Sequence, residues 1–453
     1  MPAKRLLPFL AVPVLLLALA CKGDSGPRLP DLTPFDSEGL AKLHEIRDLA
    51  AEVRELDPCE KVNEGTLTRE QLTAYYEEID AQFSDEDREE LETMNKIFRL
   101  LHLIGPQDDI LESYLGMHSS QVLGMYAFDE DKLVLVSDGD SDLSIDDEVI
   151  LAHEYVHCFQ DASLDYDRLY KMEEKENGKK ANTEYSTAID ALIEGDASIS
   201  AGAYARAKLG DEGYNNWLNS PDDDSASGEE EEEKDFPPAL ERYFSFPYDY
   251  GAKFARFLRD RGGWEELDKA YDNPPSTTEQ ILHPEKYLAG EKAEDLKLPD
   301  LTDDLGKDWE QLDDDVFGEF DAYNYLLTLL GDEGTASAAA AGWGGGRIAL
   351  YSHKDFVDRV LIHIVLTWDT PTDAAEFLTA YLSSVQAANG QNNLWDRSSS
   401  ARGLLLWDDE DEHIYVSLEK RAVTLVIAVN PDDRAAAVAA MNLPSPDPTP
   451  TPP

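Results

Sequence analysis

The chain has 453 residues, and its 94 Asp and Glu against 39 Lys and Arg give a formal net charge of −55. This charge argues against nucleic-acid binding of the usual kind, because contacts to phosphates need a basic surface. Attachment to anionic lipid through a polybasic face is disfavoured for the same reason. Hydrophobic residues still make up 42% of the chain, so sizeable cores and two or three domains are expected.

The N-terminus has the layout of an export signal. Lys4 and Arg5 precede the apolar run 6–20, which is too short for an ordinary transmembrane helix. The small residues before Cys21 resemble the lipobox of bacterial lipoproteins, in which the cysteine is acylated and becomes the mature N-terminus. The resemblance implies that residues 1–20 are a signal peptide and that the protein is extracytoplasmic and lipid-anchored to a bacterial membrane, the outer one if the cell has one. An ordinary signal peptide is the alternative.

Two further cysteines, Cys59 and Cys158, remain in the mature chain. Outside the cytoplasm two thiols can form one disulfide, which here would join a predicted helix around Cys158 to the N-terminal segment. Two buried free thiols are the alternative. Neither cysteine has the spacing of a cysteine-ligated zinc site.

The first two thirds of the chain are predicted to be mainly helical. Residues 21–36 are rich in Pro, Gly and Asp and are expected to form a tether. Apolar residues at helical spacing then predict helices over 37–56, 68–83, 85–103, 147–160, 183–209, 250–260 and 264–271. Between them, β-rich runs over 122–128 and 132–136 flank an acidic turn and predict a β-hairpin.

Acidic segments separate these elements from each other and from the last part of the chain. Residues 138–148 and 221–235 are expected to be solvated loops, and residues 291–315 are interpreted as an acidic linker. Beyond the linker a helix is predicted over 318–330. In the last hundred residues the order of predicted elements is β-β-α-β-β-α, with strands over 347–351, 360–367, 413–418 and 423–429 and helices over 372–385 and 432–441. This order predicts a small C-terminal α+β domain over 316–443, followed by a Pro-rich tail over 444–453.

The strongest motif is His153-Glu154-Tyr155-Val156-His157. Positions four apart lie on one face of a helix, so both imidazoles can reach a single ion. Zinc suits neutral imidazole ligands, and a catalytic zinc needs a third protein ligand and an open position for water. Glu154 lies beside that face and can act as the general base toward zinc-bound water. The motif predicts a zinc site, and a coincidental exposed helix is the alternative.

Glu194 is the preferred third ligand. It lies in a mostly apolar predicted helix, where an unpaired carboxylate would be costly. Asp190 and Asp196 are competing ligands, and an internal ion pair is the alternative role for Glu194. No histidine occurs between residues 158 and 282, which argues against a third histidine close to the motif.

With this motif and a downstream glutamate, the sequence resembles the gluzincin zinc metallopeptidases, the thermolysin-like group, over roughly residues 120–290. The resemblance implies a mainly helical zincin-like metallopeptidase domain over 37–290, with Zn²⁺ held by His153, His157 and Glu194. It also implies Glu154 as the base and peptide bonds of a peptide or protein as the substrate. The predicted hairpin would supply the edge strand on which such enzymes lay an extended peptide by strand addition.

Two departures from the family pattern stand out. The distance in sequence from His157 to Glu194 is longer than in thermolysin. Many gluzincins also carry an Asp four residues after the glutamate to orient a histidine, and Ser198 occupies that position here. Three other carboxylates are candidates for this orienting role, namely Asp161, Asp190 and Asp196.

Such a peptidase also needs a hydrogen-bond donor for the oxyanion that forms when water attacks the carbonyl. Tyr248, Tyr250 and His283 are candidates, each in a segment bounded by Pro. Tyr250 and His283 are preferred, because loops on a rigid scaffold often carry function. A structural role is the alternative for each of the three.

Two weaker motifs also occur in the sequence. The acidic run 138–142 resembles the start of an EF-hand loop, but Leu143 and Val149 stand where that motif has Gly and Glu, so calcium on the acidic loops is a minor hypothesis. The Gly-rich segment 342–346 lacks a phosphate-loop lysine and is interpreted as a turn.

A non-catalytic lipoprotein with a structural zinc site and a partner-binding C-terminal domain is the alternative to a peptidase.

Overall fold

The computed structural model describes residues 27–59, 61–137, 143–164, 168–169, 182–219, 236–388, 404–409, and 412–444. These residues form an α+β structure with two sheets, which confirms the α+β class of the prediction. The predicted signal peptide, Cys21, the acidic run 138–142 and the predicted acidic loop 221–235 lie outside the described residues. No helix within the described residues is both long and apolar enough to cross a membrane.

The N-terminal helices are α1 (Ser37–Arg54), α2 (Arg69–Ala81), α3 (Asp85–Leu100) and α4 (Ile110–Gln121). Short polar residues begin them by accepting hydrogen bonds from backbone N–H groups that the first turn leaves free. Asp36, Thr68, Ser84 and Asp109 have this role. The first three helices match their predicted segments. The fourth was not predicted, although Ile110, Leu111, Tyr114 and Met117 share its buried face.

A small sheet packs against the helix that carries the histidine motif. Its strands are β1 (Asn63–Leu67), β2 (Gly124–Ala127) and β3 (Lys132–Val136), in the order β1-β3-β2. Strands β2 and β3 are antiparallel, which confirms the predicted hairpin, while β1 is parallel to β3 and was not predicted. Strand β2 is therefore an edge strand of this sheet.

The central helices carry the predicted site. They are α5 (Ile145–Leu164), α6 (Thr183–Leu218), α7 (Pro238–Gly262), α8 (Trp264–Asp272), α9 (Thr278–Leu282) and α10 (Pro284–Ala289). Helix α7 begins well before the predicted 250–260 and runs through Pro247. The assignment of residues 246–251 to a Pro-bounded loop was therefore wrong. A proline inside a helix removes one backbone hydrogen bond. Burial of Phe246 and Gly251, which stand before and after Pro247, offsets this loss.

The C-terminal part is built on a second, antiparallel sheet. The helices of this part are α11 (Thr302–Leu305), α12 (Glu319–Leu330), α13 (Glu333–Ala340), α14 (Pro371–Ala388) and α15 (Pro431–Ala440). Its strands are β4 (Trp309–Val316), β5 (Trp343–His353), β6 (Phe356–Trp368), β7 (Leu404–Asp408), β8 (His413–Glu419) and β9 (Ala422–Ala428). Their order is β4-β5-β6-β9-β8-β7.

Two segments of this region differ from their predicted structure. Strand β4 occupies residues 309–316, most of which were assigned to the acidic linker 291–315. Its acidic residues are compatible with a strand because it is an edge strand and Arg347 of β5 pairs with Asp314. The segment 342–346 is not a simple turn, since β5 begins at Trp343.

One hydrophobic cluster runs through the helices and the C-terminal sheet. The rings of Phe246 in α7 and Phe320 in α12 lie 4.1 Å apart, centroid to centroid. Trp343 and Trp368 of the sheet are fully buried in the same cluster. The C-terminal part therefore packs directly against a helix that borders the predicted site.

Candidate functional site

Helix α5 presents both motif histidines on one face, as the four-residue spacing requires. The Nε2 atoms of His153 and His157 lie 3.1 Å apart. Tyr155, Val156 and Phe159 of the same helix are fully buried, and this packing sets the rotation of the helix. The histidines therefore project together toward α6.

Glu194 of α6 meets both histidines. Its Oε2 atom lies 3.0 Å from Nε2 of His153 and 3.3 Å from Nε2 of His157. Ligand atoms about 2.0–2.1 Å from a tetrahedral zinc would be about 3.3–3.4 Å apart, close to the observed triangle. Two imidazole nitrogens and one carboxylate oxygen are also a donor set that zinc accepts, so these residues fit the ion.

The predicted alternative, an internal ion pair of Glu194, accounts less well for this arrangement. If both Nε2 atoms carried protons, two N–H donors 3.1 Å apart would converge on one oxygen and repel each other. Burial acts to lower the pKa of His157, but the Glu194 carboxylate raises it, and the result is a pKa of about 9. Burial acts to raise the pKa of Glu194, but the two histidines hold it well below its usual range. Both shifts are those of an ion pair in the absence of a metal, and a cation bound between the three groups would take the place of the shared proton.

One side of the triangle is open to solvent. The side chains of His153 and Glu194 are 15% and 23% exposed, whereas that of His157 is only 7% exposed. A bound ion would thus have room for a fourth ligand such as water, which is typical of catalytic rather than structural zinc sites.

Glu154 lies between this triangle and the edge strand β2. It is buried, which raises the pKa of its carboxyl, and it accepts a hydrogen bond from the backbone N–H of Tyr126 in β2. A Cβ atom on Gly124 would lie 2.6 Å from Cγ2 of Ile150 and 3.2 Å from Oε1 of Glu154. Only glycine allows the strand to pass this close to the helix.

The structure separates the three candidate oxyanion donors. The ring of Tyr248 lies 6.2 Å from that of His153, centroid to centroid, and its side chain is 40% exposed. Tyr250 stacks on Phe246 instead, with ring centroids 5.2 Å apart, because two steps along a helix turn by about 200°. His283 Nε2 lies 2.8 Å from Oε1 of Glu319. Of the three candidates, Tyr248 is therefore the one whose ring lies beside the motif, and the oxyanion role of Tyr250 and His283 stays a prediction.

The competing carboxylates have other partners. Asp196 Oδ1 accepts a hydrogen bond of 2.7 Å from Nε of the buried Arg54. Asp161 Oδ2 accepts one of 3.4 Å from the hydroxyl of Tyr126. Neither these two nor Asp190 belongs to the group of converging donor atoms found among the described residues.

Gln160 lies beside the histidines and was not predicted from the sequence as a site residue. Its side-chain oxygen lies 2.9 Å from Nδ1 of His157. Gln160 follows His157 by three positions and so shares its face of α5. This spacing was the available signal.

A disulfide joins Cys59 and Cys158, with their Cα atoms 5.9 Å apart. This confirms the predicted pairing and excludes two free thiols. Cys158 follows His157 directly on α5, and Cys59 follows α1. The bond therefore fixes the N-terminal segment to the helix that carries the site.

A second group of acidic side chains resembles a metal site but already has a cation. Oxygen atoms of Glu279, Glu291 and Asp369 lie within 4.8 Å of one another. The ammonium of Lys286 is 2.6, 2.8 and 2.9 Å from these three carboxylates. Its ammonium therefore already occupies the position that an ion from solution would take.

Comparison with known proteins covers only the sheet part of the chain. Residues 308–438 match the model of a family described as a domain of unknown function, DUF8575. The match runs from just before β4 into α15 and does not include the histidine motif. No curated protein and no solved structure matches the chain.

Proposed function

We propose that this protein is a zinc-dependent metallopeptidase with a gluzincin-like site in a zincin-like helical core. The observation that carries the proposal is the triangle of His153, His157 and Glu194 donor atoms, 3.0–3.3 Å apart, with a buried glutamate beside it and one open side. Zinc in this position polarises a carbonyl and makes water more acidic. The residues around it supply the rest of the chemistry.

Glu154 is the general base. It takes a proton from the attacking water and then delivers it to the nitrogen of the departing amine. Its bond from the Tyr126 N–H orients the carboxylate, and burial raises its pKa, which strengthens it as a base. A glutamine here would keep the shape of the side chain but could not accept the proton.

Strand β2 aligns the substrate. Val136 N–H donates to Leu123 O, at 2.8 Å, so the backbone carbonyl of Leu123 points toward β3. Because backbone groups alternate in direction along a strand, those of Gly124 point away from β3, toward the outer edge of the sheet. An extended peptide can pair with this edge at Gly124 by strand addition, while the neighbouring outward N–H of Tyr126 stays bonded to Glu154. Its scissile carbonyl then lies beside Glu154.

Tyr248 donates a hydrogen bond to the oxyanion. The negative charge of Glu194 raises the pKa of Tyr248 well above its usual range, so its hydroxyl keeps the proton that it must donate. An exposed ring next to His153 can also contact the substrate directly.

Export and lipid anchoring remain part of the proposal. A disulfide between Cys59 and Cys158 supports an extracytoplasmic location, since such bonds persist where the environment is oxidising. The high density of carboxylates then lies on a surface outside the cytoplasm, where it keeps the protein soluble.

The test compares the wild type with Glu154→Gln. Both should contain one zinc per chain by metal analysis, and only the wild type should cleave an unstructured protein such as casein. Zinc in both with cleavage by neither would favour the non-catalytic lipoprotein with a structural zinc site. Absence of zinc from the wild type would remove the proposal.

A further inference from the structure

Gln160 is a fully buried amide at the back of the metal site. Its Nε2 atom lies 3.0 Å from the backbone oxygen of Ile193, next to the ligand Glu194, and 3.2 Å from Oδ2 of Asp196. Both of these atoms can only accept hydrogen bonds, so the NH₂ group must point toward them. The amide oxygen therefore faces Nδ1 of His157 at 2.9 Å.

This orientation determines the tautomer of His157. Because an amide oxygen only accepts, Nδ1 of His157 must carry a proton and donate it. The lone pair for metal binding is then on Nε2, the atom that faces His153 and Glu194. The same hydrogen bond fixes the plane of the ring.

A buried ion pair anchors Gln160 in turn. Arg54 and Asp196 are both fully buried, and Arg54 donates from Nε to Oδ1 at 2.7 Å and from Nη2 to Oδ2 at 3.0 Å. The hydroxyl of Tyr271 donates to Asp196 at 2.8 Å and lies 3.0 Å from Nε2 of Gln160. Arg54 also pairs with Asp268 at 2.6 Å.

We infer that Gln160 is a positioning residue for the metal ligand His157, held in place by Asp196, Arg54 and Tyr271. The inference rests on the proposed zinc site. Asp196 takes the orienting role that the position of Ser198 cannot supply, but it acts through Gln160 rather than on a histidine directly. A ligand held by this kind of hydrogen bond binds its metal more tightly, typically by about 10–100-fold.

The network also makes helix α1 part of the site. Arg54 is the last residue of α1, and its guanidinium stacks on Trp264, 4.7 Å from the ring centroid. Removal of one partner from a buried ion pair leaves the other charge without compensation. The N-terminal helix therefore supports the geometry of a histidine more than 100 positions away in sequence.

The test measures zinc affinity by competition with a chromophoric chelator, and the visible spectrum of the cobalt-substituted protein. Gln160→Met keeps the volume of the side chain but cannot accept from Nδ1. We expect its zinc Kd to rise by about 10–100-fold and its cobalt bands to shift. Asn324→Leu is the matched control, because Asn324 is also a fully buried amide that donates to a backbone oxygen, that of Ala239 at 3.0 Å. The control should lose stability but keep the wild-type Kd and cobalt spectrum.

Each outcome decides the inference. A folded Gln160→Met variant with the wild-type Kd and cobalt spectrum overturns it and leaves the proposed function intact. If Gln160→Met does not fold, Tyr271→Phe replaces it, since loss of one hydroxyl loosens Gln160 and Asp196 together, and an unchanged Kd there also overturns the inference. A wild-type protein that takes up no zinc overturns the proposed function and this inference with it.

Discussion

Gly195 of α6 and Gly251 of α7 touch backbone to backbone. A Cβ atom on Gly195 would lie 2.2 Å from the carbonyl carbon and oxygen of Gly251, and one on Gly251 would lie 2.1 Å from the oxygen of Ala191. Gly195 directly follows Glu194, and Gly251 is three positions beyond Tyr248. This contact therefore sets the distance between the proposed metal ligand and the proposed oxyanion donor.

Gly195→Ala should separate the two helices. A methyl group here meets backbone that cannot rotate away, so we expect a loss of about 1–3 kcal/mol in the free energy of unfolding and a fall in kcat. Gly202→Ala on the same helix is the control, since its Cβ would meet only the Tyr214 hydroxyl at 3.5 Å. The control should gain about 0.5–1 kcal/mol from helix propensity. Urea unfolding of both variants makes the comparison, and equal effects would refute the close-contact argument.

Tyr248→Phe should lower kcat by about 100–1,000-fold, the usual effect of losing one oxyanion donor, with little change in zinc content. Tyr250→Phe is the matched control two positions away, and it should keep most of the wild-type kcat because its ring stacks on Phe246. Steady-state kinetics on one peptide substrate measures both. A larger loss in Tyr250→Phe than in Tyr248→Phe would reverse the assignment.

Glu194→Ala should abolish stoichiometric zinc binding, because two histidines alone do not complete a zinc site. Asp190→Ala removes a carboxylate one turn earlier on α6 and should retain one zinc per chain. Metal analysis after gel filtration distinguishes the two. Unchanged zinc in Glu194→Ala would show that another residue is the third ligand.

The free energy of unfolding should fall as the pH rises through the pKa range of two buried carboxyls, those of Asp315 in β4 and Asp321 in α12. Burial raises the pKa of Asp321 to about 7 and that of Asp315 to about 6. The folded state thus binds more protons than the unfolded chain, whose Asp pKa is about 3.9, and the stability that these carboxyls contribute at low pH is lost between about pH 4 and pH 7.

Asp321→Asn tests this dependence, since its one amide oxygen can still accept from Gly318 N–H, and its NH₂ group can donate to the Tyr243 hydroxyl that bonds the other oxygen in the wild type. The acidic surface also destabilises the fold as pH rises, so the variant is compared with the wild type at pH 5 and pH 8. The loss of unfolding free energy between these two values should be smaller in the variant, by on the order of 1–3 kcal/mol. Equal losses would contradict a titrating Asp321.

Reduction of the disulfide should destabilise the whole helical part. Cys59 and Cys158 are 99 positions apart, and in the chain-entropy account a loop of this length contributes about 4–5 kcal/mol. Dithiothreitol should therefore lower the Tm of the wild type and have no effect on a Cys59→Ala/Cys158→Ala double variant. An unchanged Tm in the wild type would show that the bond contributes little.

Much of the helical architecture could be predicted from the sequence because its signals are local. Periodic apolar residues and the capping side chains of α1, α2 and α3 lie within a few positions of each other. Strands β1 and β4 were missed for the opposite reason. Both are rich in polar residues and owe their strand conformation to partners far away in the chain, such as Arg347 for β4.

The residues of the site also differ in whether their position depends on local sequence or on distant contacts. The two histidines of the motif are four positions apart, so their convergence follows from helix geometry alone. The choice of Tyr248 over Tyr250 depends on the rotation of a helix that continues through Pro247, and Arg54 reaches Asp196 only through the tertiary fold. Sequence spacing contains no information on such contacts.

Lys286 has a practical consequence for experiments on this protein. Its ammonium occupies the centre of Glu279, Glu291 and Asp369, so a chelator has nothing to extract there. Among the described residues, the only other convergent donor group is that of His153, His157 and Glu194. A change in Tm after dialysis against EDTA, reversed by added zinc, would therefore report on the histidine site without interference from the lysine-filled one.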